Sequence, residues 1–528
     1  MSASIIPSAF WRIDTLAAHV RGTWLAAPRR QSGELPFTLQ GLSTDTRAVA
    51  PGQVFLALKG EKHDAHGFLT QAMDKGAAAL IIQDESAWHA ARAHPRAGQV
   101  AVVLVRDTAA ALLDLGAAYR RTLPAIILAI GGSNGKTTTV RLVHAALAGA
   151  GGSSMAGSGG LRVRSSAKSF NNAIGVPLTL LSAQLQDQAL ICEVGTNAPG
   201  ELAPLAEIVE PDLAIITSLG REHLEGLGDL SGVAREEASL LRGLRDGGVA
   251  IVNADSPQLL AAVHDEIARA AKAGRALRLH TFGFSASADT RVATATQSLD
   301  GLTFTLADGT SWRLPLLGEH NASNAAGAIA AARALGLTDA TIAAGLAIAQ
   351  GPPMRLERSV ITTGGNATSS IHVVNDCYNA NPDSMLAALR AFAAFAASAP
   401  RRVVVLGDML ELGPTGPALH AEVLAAATKS LKPIDQLVLV GPIWQQVWQQ
   451  HSNQAAANAS PNTALIPALT EDTLPSIAAL IQPADALLLK GSRGMSLERI
   501  LATLKQRWPQ PPATTITEPK SSLPTPTY

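Results

Sequence analysis

Cysteine is nearly absent from this chain of 528 residues, which carries only Cys192 and Cys377. Two thiols exclude a disulfide framework and a thiolate zinc site, and they fit a reducing compartment. An excess of either charge is missing too, with 42 Lys plus Arg against 42 Asp plus Glu. Such a balance is not built to wrap nucleic acid or lie on an anionic membrane, so neither partner is expected. No charge-free apolar run reaches bilayer-spanning length. Met1 to Gly22 mixes Trp11, Arg12, Asp14 and His19 into an amphipathic pattern, where a secretory signal would carry an unbroken apolar core. These absences predict a soluble cytoplasmic protein. Nor is there a solenoid repeat.

What is present is an apolar fraction of 47%, enough for about three to four domains with their own cores. The chain is organised around the apolar run Ile126 to Ile130, followed by Gly131-Gly132-Ser133-Asn134-Gly135-Lys136-Thr137-Thr138-Thr139. This reads as strand, phosphate loop, helix. Lacking a Cβ, Gly132 and Gly135 let backbone N–H groups curl round an anion, and the positive end of the helix dipole points at the same spot. Lys136 adds a point charge for phosphates, and the Thr137 hydroxyl suits Mg²⁺. Ile130 stands where the full eight-residue motif has its first glycine, so the loop is a shortened version.

Around that centre the order predicts an α/β protein of three domains. Residues 1–122 form a small α/β domain with strands at Val54–Leu58 and Ala79–Ile82. Its polar clusters, Ser43 to Arg47 and Lys62 to Phe68, fit a solvated loop as readily as a ligand site. Residues 123–350 alternate strands and helices, the pattern of a mainly parallel sheet. In such sheets ligands bind outside the carboxyl ends of the strands. Glu193, ending the strand that starts at Ala189, and His223, beyond the strand Leu213–Ile216, therefore become candidate Mg²⁺ ligands. Taken singly, either would more often be a surface residue. From Thr281 to Leu317, with Asp308-Gly309 as a turn, a small antiparallel addition is expected. Then His320, Asn321 and Asn324 occupy the first turn of an alanine-rich helix, where polar side chains cap the helix or meet ligands. Residues 351–508 again alternate, with buried strands at Val403–Leu406, Leu437–Val440 and Ala486–Leu489 and no phosphate loop. Two polar runs, Asn375 to Ser384 and Lys490 to Gly494, are unexplained by loop chemistry alone. The Ala-rich region 454–459 reads as a loop insertion, and the proline-rich tail 509–528 as disordered.

From residue 41 to about 505 the chain resembles the Mur ligases of bacterial cell-wall synthesis. The phosphate loop, Glu193, His223 and the His320-Asn321…Asn324 segment occur in the order that family shows. Within it, Asn171 to Thr179, Asp376 to Met385, Leu406 to Gly413 and Lys490 to Met495 look like the branch that joins D-alanyl-D-alanine to UDP-N-acetylmuramoyl-tripeptide. The Asp-Asn-Pro-Arg tetrapeptide usual in the branch that adds the third residue is not found. The resemblance implies an N-terminal domain for the uridine nucleotide, a central phosphate-loop ATPase on a parallel sheet and a C-terminal Rossmann-like ligase domain. It also implies an ATP-dependent carboxylate–amine ligase that works through an acyl phosphate and requires Mg²⁺. By motif match, Gly132, Ser133, Asn134, Gly135, Lys136, Thr137, Thr138, Asn321, Asn324, Arg355 and Asp376 would hold ATP. Thr137, Glu193 and His223 would hold metal. Ser43, Thr44 and Arg47 would hold the UDP moiety, with Asn171 and Asn172 also on the substrate side, while Asn379, Asn381 and Arg493 would serve the dipeptide. Lys136, Glu193, His223 and Glu237 would carry catalysis.

Two departures stand out. Many family members carbamylate a lysine at the position occupied here by Glu237, and the glutamate is expected to replace that anion and remove any need for CO₂. The plainer alternative has Glu236 and Glu237 facing solvent. Gly131, where the family usually has Thr, is expected to loosen the loop. Another Mur-type or folylpolyglutamate-type amide ligase remains open at this point, as does a catalytically silent nucleotide-binding protein of the same fold. A monomer is the working expectation.

Overall fold

The apolar runs become strands, and the strands fall into three sheets. The computed structural model describes residues 10–27, 38–60, 63–154, 159–167, 169–364, 369–455 and 462–509. The tail beyond 509, Lys62 and residues 456–459 of the expected insertion lie outside them. The helix Pro442–Ala455 runs up to the edge of that insertion.

The first sheet orders its strands Thr23–Ala26, Ala101–Leu104, Ala79–Ile82, Val54–Leu56 and Leu42–Ser43, the first pair antiparallel and the others parallel. Its Val54 strand stops two residues short of the sequence expectation.

The second sheet has nine strands in the order Val163–Ser165, Ala189–Glu193, Ile126–Gly131, Leu213–Ile216, Val249–Asn253, Arg278–Gly283, Thr290–Ser298, Gly301–Leu306 and Ser311–Leu314. All pairings are parallel as far as Thr290–Ser298, and the last two strands add antiparallel. Because side chains alternate along a strand, the sheet divides its residues between two cores. Leu128 and Ile130 join the core under the phosphate-loop helix Lys136–Ala148 and the alanine-rich helix His320–Ala334. Ile127 and Ala129 enter the opposite core, which continues without a break into the first sheet through Leu112, Leu115 and Tyr119 of the helix Thr108–Arg120. Gly116 of that helix has no room for a Cβ, which would stand 2.7 Å from Pro177.

The third sheet runs Glu357–Ile361, Ile371–Asp376, Ala486–Lys490, Arg402–Gly407, Gln436–Val440 and Asn462–Ile466, parallel apart from its first pair. It has its own cores, and among the described residues Leu317 alone enters them from the second sheet's side. Its seam with the second sheet is otherwise polar.

Candidate active site

The phosphate loop is shaped by contacts that only glycine permits. Gly132 has φ +115°, and a Cβ there would stand 2.3 Å from the Thr217 hydroxyl; Gly135 has φ +86°, with Asn324 at 2.7 Å. The loop is tied to the segment that follows the strand Leu213–Ile216. Ser133 N donates to Ser218 O at 2.8 Å, and the Thr217 and Ser218 hydroxyls donate to Asn134 O at 2.6 and 3.0 Å. Gly131, expected to loosen the loop, is itself held at its backbone. It ends the strand and its carbonyl accepts from both Thr217 N and Thr217 Oγ1, at 3.0 and 3.1 Å.

Lys136 Nζ donates to Gly132 O at 2.6 Å and Ser133 O at 3.1 Å, and stands 3.7 Å from Glu222. Burial works against its charge, but Glu222, Glu237 and Glu193 outweigh burial and leave the ammonium pKa above its ordinary value. Glu193 is buried at its strand end, and its Oε1 accepts from Thr137 Oγ1 at 3.1 Å and Asn171 Nδ2 at 3.0 Å. Its Oε2 is buried without a partner. Burial raises the pKa of both Glu193 and Glu222, with Lys136 and Arg355 opposing. His223 adopts the left-handed region, φ +50°, and its Nδ1 faces Glu411 at 3.0 Å.

Glu236 and Glu237 do not face solvent. Glu236 accepts from Gly200 N and Leu202 N, both at 2.9 Å. Glu237, 2% exposed, accepts from Gly132 N at 2.6 Å. A Cβ on Gly131 would be 3.3 Å from the Glu237 carboxylate, so the two departures from the family pattern meet in space. The short glutamate stem reaches the back of the loop, and Glu237 is not among the residues that line the cavity described next.

That cavity, about 650 Å³, opens at the carboxyl ends of the central strands. Ser133, Asn134, Gly135, Lys136, Thr138, Asn171, Asn172, Glu193 and His223 line it, as do His320, Asn321 and Asn324. Neither Asn caps the helix: Asn321 Nδ2 donates to Leu317 O at 2.7 Å, and Asn324 Nδ2 donates to Asn321 Oδ1 at 2.9 Å. The opposite wall comes from the third sheet's side, through Arg355, Asp376 and Asn379. Arg355 lies over the Tyr378 ring at 4.3 Å, between Met354 and Leu356, both at positive φ. Asp376 pairs with buried Lys490 at 2.8 Å.

Other sequence candidates stand apart. Ser43 exchanges hydrogen bonds with Asp45, and exposed Arg47 pairs with Asp45 at 2.7 Å; neither they nor Thr44 line the cavity. Arg493 pairs with Glu498 outside it. Asn172 Oδ1 accepts from Gly175 N at 2.9 Å, and Asn381 caps its helix while its Nδ2 donates to Asn134 Oδ1 at 2.8 Å. Glu222 and Lys490 are cavity residues that the sequence reading left out. Lys490 lay inside a polar run already noted and Glu222 immediately precedes His223, but only the fold shows their partners.

Among the described residues no three His, Cys, Asp or Glu side chains form a metal cage. Mg²⁺ needs none, since it binds through one or two carboxylates plus phosphates and water. The unpartnered Glu193 Oε2 beside the Thr137 hydroxyl fits it.

A phosphate loop on a parallel sheet, faced by a second α/β sheet that contributes an arginine and a lysine, defines a nucleotide-dependent enzyme whose cavity is shared by two units. The chain belongs to the Mur ligase family. The Mur ligase middle domain matches residues 130–332, the Mur ligase glutamate ligase domain residues 355–493, and the Mur ligase family catalytic domain residues 38–120. It is 32% identical over 497 residues to the UDP-N-acetylmuramoyl-tripeptide–D-alanyl-D-alanine ligase of Bacillus subtilis, covering 93% of this chain and 98% of the relative. It is 34% identical to the Escherichia coli protein of the same name, covering 90% and 96%. A crystal structure of MurF from Acinetobacter baumannii aligns with TM-score 0.74 at 29% identity, covering 94% of this chain and 99% of that one. The fold is also shared with MurF ligase from Thermotoga maritima, solved in complex with ADP, at TM-score 0.70 and 21% identity over 89% of this chain and 97% of that one.

Proposed function

We propose that the chain joins D-alanyl-D-alanine to UDP-N-acetylmuramoyl-tripeptide with hydrolysis of ATP, as part of cytoplasmic peptidoglycan precursor synthesis. The observation that carries the reading is the single cavity in which Lys136 and Glu193 of the phosphate-loop wall face Arg355 and Lys490. The working division is 1–122 for the uridine nucleotide, 123–350 for ATP and 351–508 for the dipeptide, with one chain as the working unit. Among the described residues no helix is long and apolar enough to cross a membrane.

The chemical problem is like charge. A carboxylate must approach a triphosphate, so cations and positioning supply most of the catalysis. The phosphate-loop amides and the helix at Lys136 cradle the phosphates, and Lys136 turns from Glu222 to the phosphate oxygens. Arg355 brings a second cation from the opposite wall, with Asn321 and Asn324 lining the nucleotide's side. Thr137 and Glu193 would hold Mg²⁺, with His223 assigned to a second ion, and bound Mg²⁺ would neutralise phosphate charge. The tripeptide carboxylate takes the γ-phosphoryl group and ADP leaves. The dipeptide amine then attacks the acyl carbon, loses a proton, and expels phosphate through a tetrahedral intermediate. Asn379, Asn381 and Arg493 are assigned to the dipeptide, and Ser43, Thr44 and Arg47 to the UDP moiety, with Asn171 and Asn172 on the substrate side. Glu237 stands as the carboxyl group where relatives carbamylate a lysine, accepting from Gly132 N–H, so added bicarbonate leaves the rate unchanged.

Phosphate release from ATP tests the reading. It is expected only when UDP-N-acetylmuramoyl-tripeptide and D-alanyl-D-alanine are both present, and to vanish in Lys136→Ala. Release with a diamino acid or glutamate in place of the dipeptide would move the chain to another branch of the family.

A further inference from the structure

Among the contacts that join the two walls of the cavity, the largest set from a single side chain belongs to a residue outside its lining. In the run Arg221-Glu222-His223, Glu222 and His223 line the cavity. Arg221 reaches across to the C-terminal unit. Its backbone N donates to Asp383 Oδ2 at 2.8 Å, and its Nε and Nη2 donate to Asp383 Oδ1 at 3.1 and 2.7 Å. Its Nη1 and Nη2 also donate to Glu422, at 2.7 and 3.0 Å. Asp383 lies in the first turn of the helix Pro382–Phe395, whose cap Asn381 donates to Asn134 of the phosphate loop. Glu422 lies on the neighbouring helix Gly416–Ser430. Gly220, just before Arg221, is pressed so close that a Cβ would stand 2.5 Å from Asn134 and 3.4 Å from Asp383.

We propose that Arg221 is a positioning residue, a clasp that draws the C-terminal unit onto the ATP-loaded phosphate loop and thereby sets the affinity for the amine substrate. The inference rests on the ligase reading above. One guanidinium holds two carboxylates of the opposite unit, and without it Asp383 and Glu422 meet that wall as uncompensated like charges. The segment carrying Arg221 is bonded to the phosphate loop at Ser133 and Asn134, and Glu222 is the Lys136 counter-ion. A triphosphate that draws Lys136 from Glu222 therefore acts on the segment that holds the clasp. Because the amine site depends on the C-terminal unit, closure reads out as amine affinity, while ATP held by the phosphate loop is little affected.

The test separates the clasp from the reading it rests on. In Arg221→Ala the KM for D-alanyl-D-alanine is expected to rise about tenfold, with the KM for ATP within about threefold of the parent. Arg221→Lys should recover part of the loss, and Asp383→Asn should add little on top of Arg221→Ala, because the two belong to one contact. Thermal melts check that the variants fold. Closure itself is read by energy transfer between dyes on Glu85→Cys and Lys505→Cys, both exposed positions, since the native thiols are buried. A non-hydrolysable ATP analogue should change transfer in the parent and change it much less in Arg221→Ala. Equal responses in the two proteins, or a KM for ATP that rises in step with that for the amine, overturn the clasp. A parent protein that does not consume the dipeptide overturns the functional reading, and energy transfer then still decides the clasp.

Discussion

The molecule has two seams of opposite construction. Between the first and second sheets the hydrophobic core runs on without interruption. Its hydrogen bonds are largely buried: Tyr119 OH donates to Ala183 O at 2.7 Å, and Arg120, 1% exposed, donates to Val209 O and Glu210 O at 2.7 Å each, closing the end of the helix Leu202–Val209, with one long exposed pair, Arg121 to Glu210 at 3.9 Å, beside them. Between the second and third sheets the bonds are polar: neutral ones from Asn381 to Asn134 and from Gln297 to Ala391 O stand beside the ionic set of Arg221, Asp383 and Glu422, whose side chains are 28%, 38% and 43% exposed. Opening the first seam exposes apolar area and orphans buried carbonyls. Opening the second returns charged groups to water at little cost. The first two units therefore form one body, and it is against this body that the proposed clasp closes the third.

The largest effect should come from the welded seam. Leu115→Ala removes a fully buried side chain from the shared core, and about 3–4 kcal/mol of stability is expected to go with it by denaturant titration. The kinetic constants of the protein that remains folded should hold. A large rise in amine KM with little loss of stability would merge the two seams into one.

Next comes pH, which acts around the phosphate loop, where Glu193 and Glu222 line the cavity and Glu237 lies behind Gly132. Burial, opposed by Lys136, pushes Glu237 up from 4.5 to about 7. A raised carboxyl pKa makes ionisation costlier in the folded chain than in the unfolded one. The stability is thus present below the ordinary value and is lost as pH rises through about 7. Glu237→Gln keeps an acceptor for Gly132 N–H and removes the ionisation. Its stability relative to the parent should grow across that window by about 3 kcal/mol and level off above it. A flat difference between pH 4 and 8 would rule out a buried, titrating Glu237. Smaller still is Tyr119→Phe, which strips one buried hydrogen bond from the welded seam and should cost about 1 kcal/mol in a thermal melt, with amine KM unchanged.

How much of this was legible in the sequence follows from the range of the interaction. Ile126 to Lys136 announced itself because an apolar strand, glycines and a lysine sit side by side. Glu193 and His223 followed from a rule about strand ends. The seams were not legible. Arg120 ends an amphipathic helix and reads as a surface cation, yet its partners lie 89 and 90 residues away. Arg221 meets Asp383 at a separation of 162 residues, which no periodicity records. Nor could the surroundings of Gly131 be read: a Cβ there would meet Leu240 at 3.0 Å and Glu237 at 3.3 Å, both on a distant stretch of the chain. Ser43 and Arg47 were located, but their visible bonds are to Asp45 next door.

The smallest expected effect sharpens the comparison most, because salt acts far more on the second seam than on the first, where the exposed Arg121–Glu210 pair is long at 3.9 Å. Exposed ion pairs are screened within about a Debye length, roughly 10 Å at 0.1 M salt and 3 Å at 1 M, whereas apolar contacts are not screened at all. The Arg221 bonds, a third or so exposed, should lose about half a kcal/mol over that range, a two- to threefold rise in amine KM. Substrate charge also responds to salt, so the informative quantity is the difference between parent and Arg221→Ala. The variant has no clasp to screen and should show the shallower slope, while Leu115→Ala, damaged only at the welded seam, should keep the parent's slope. Parallel slopes in parent and Arg221→Ala would mean that the ionic bonds at the second seam do not hold it shut, and that Leu317 and the hydrogen bond from Asn381 to Asn134 carry closure instead.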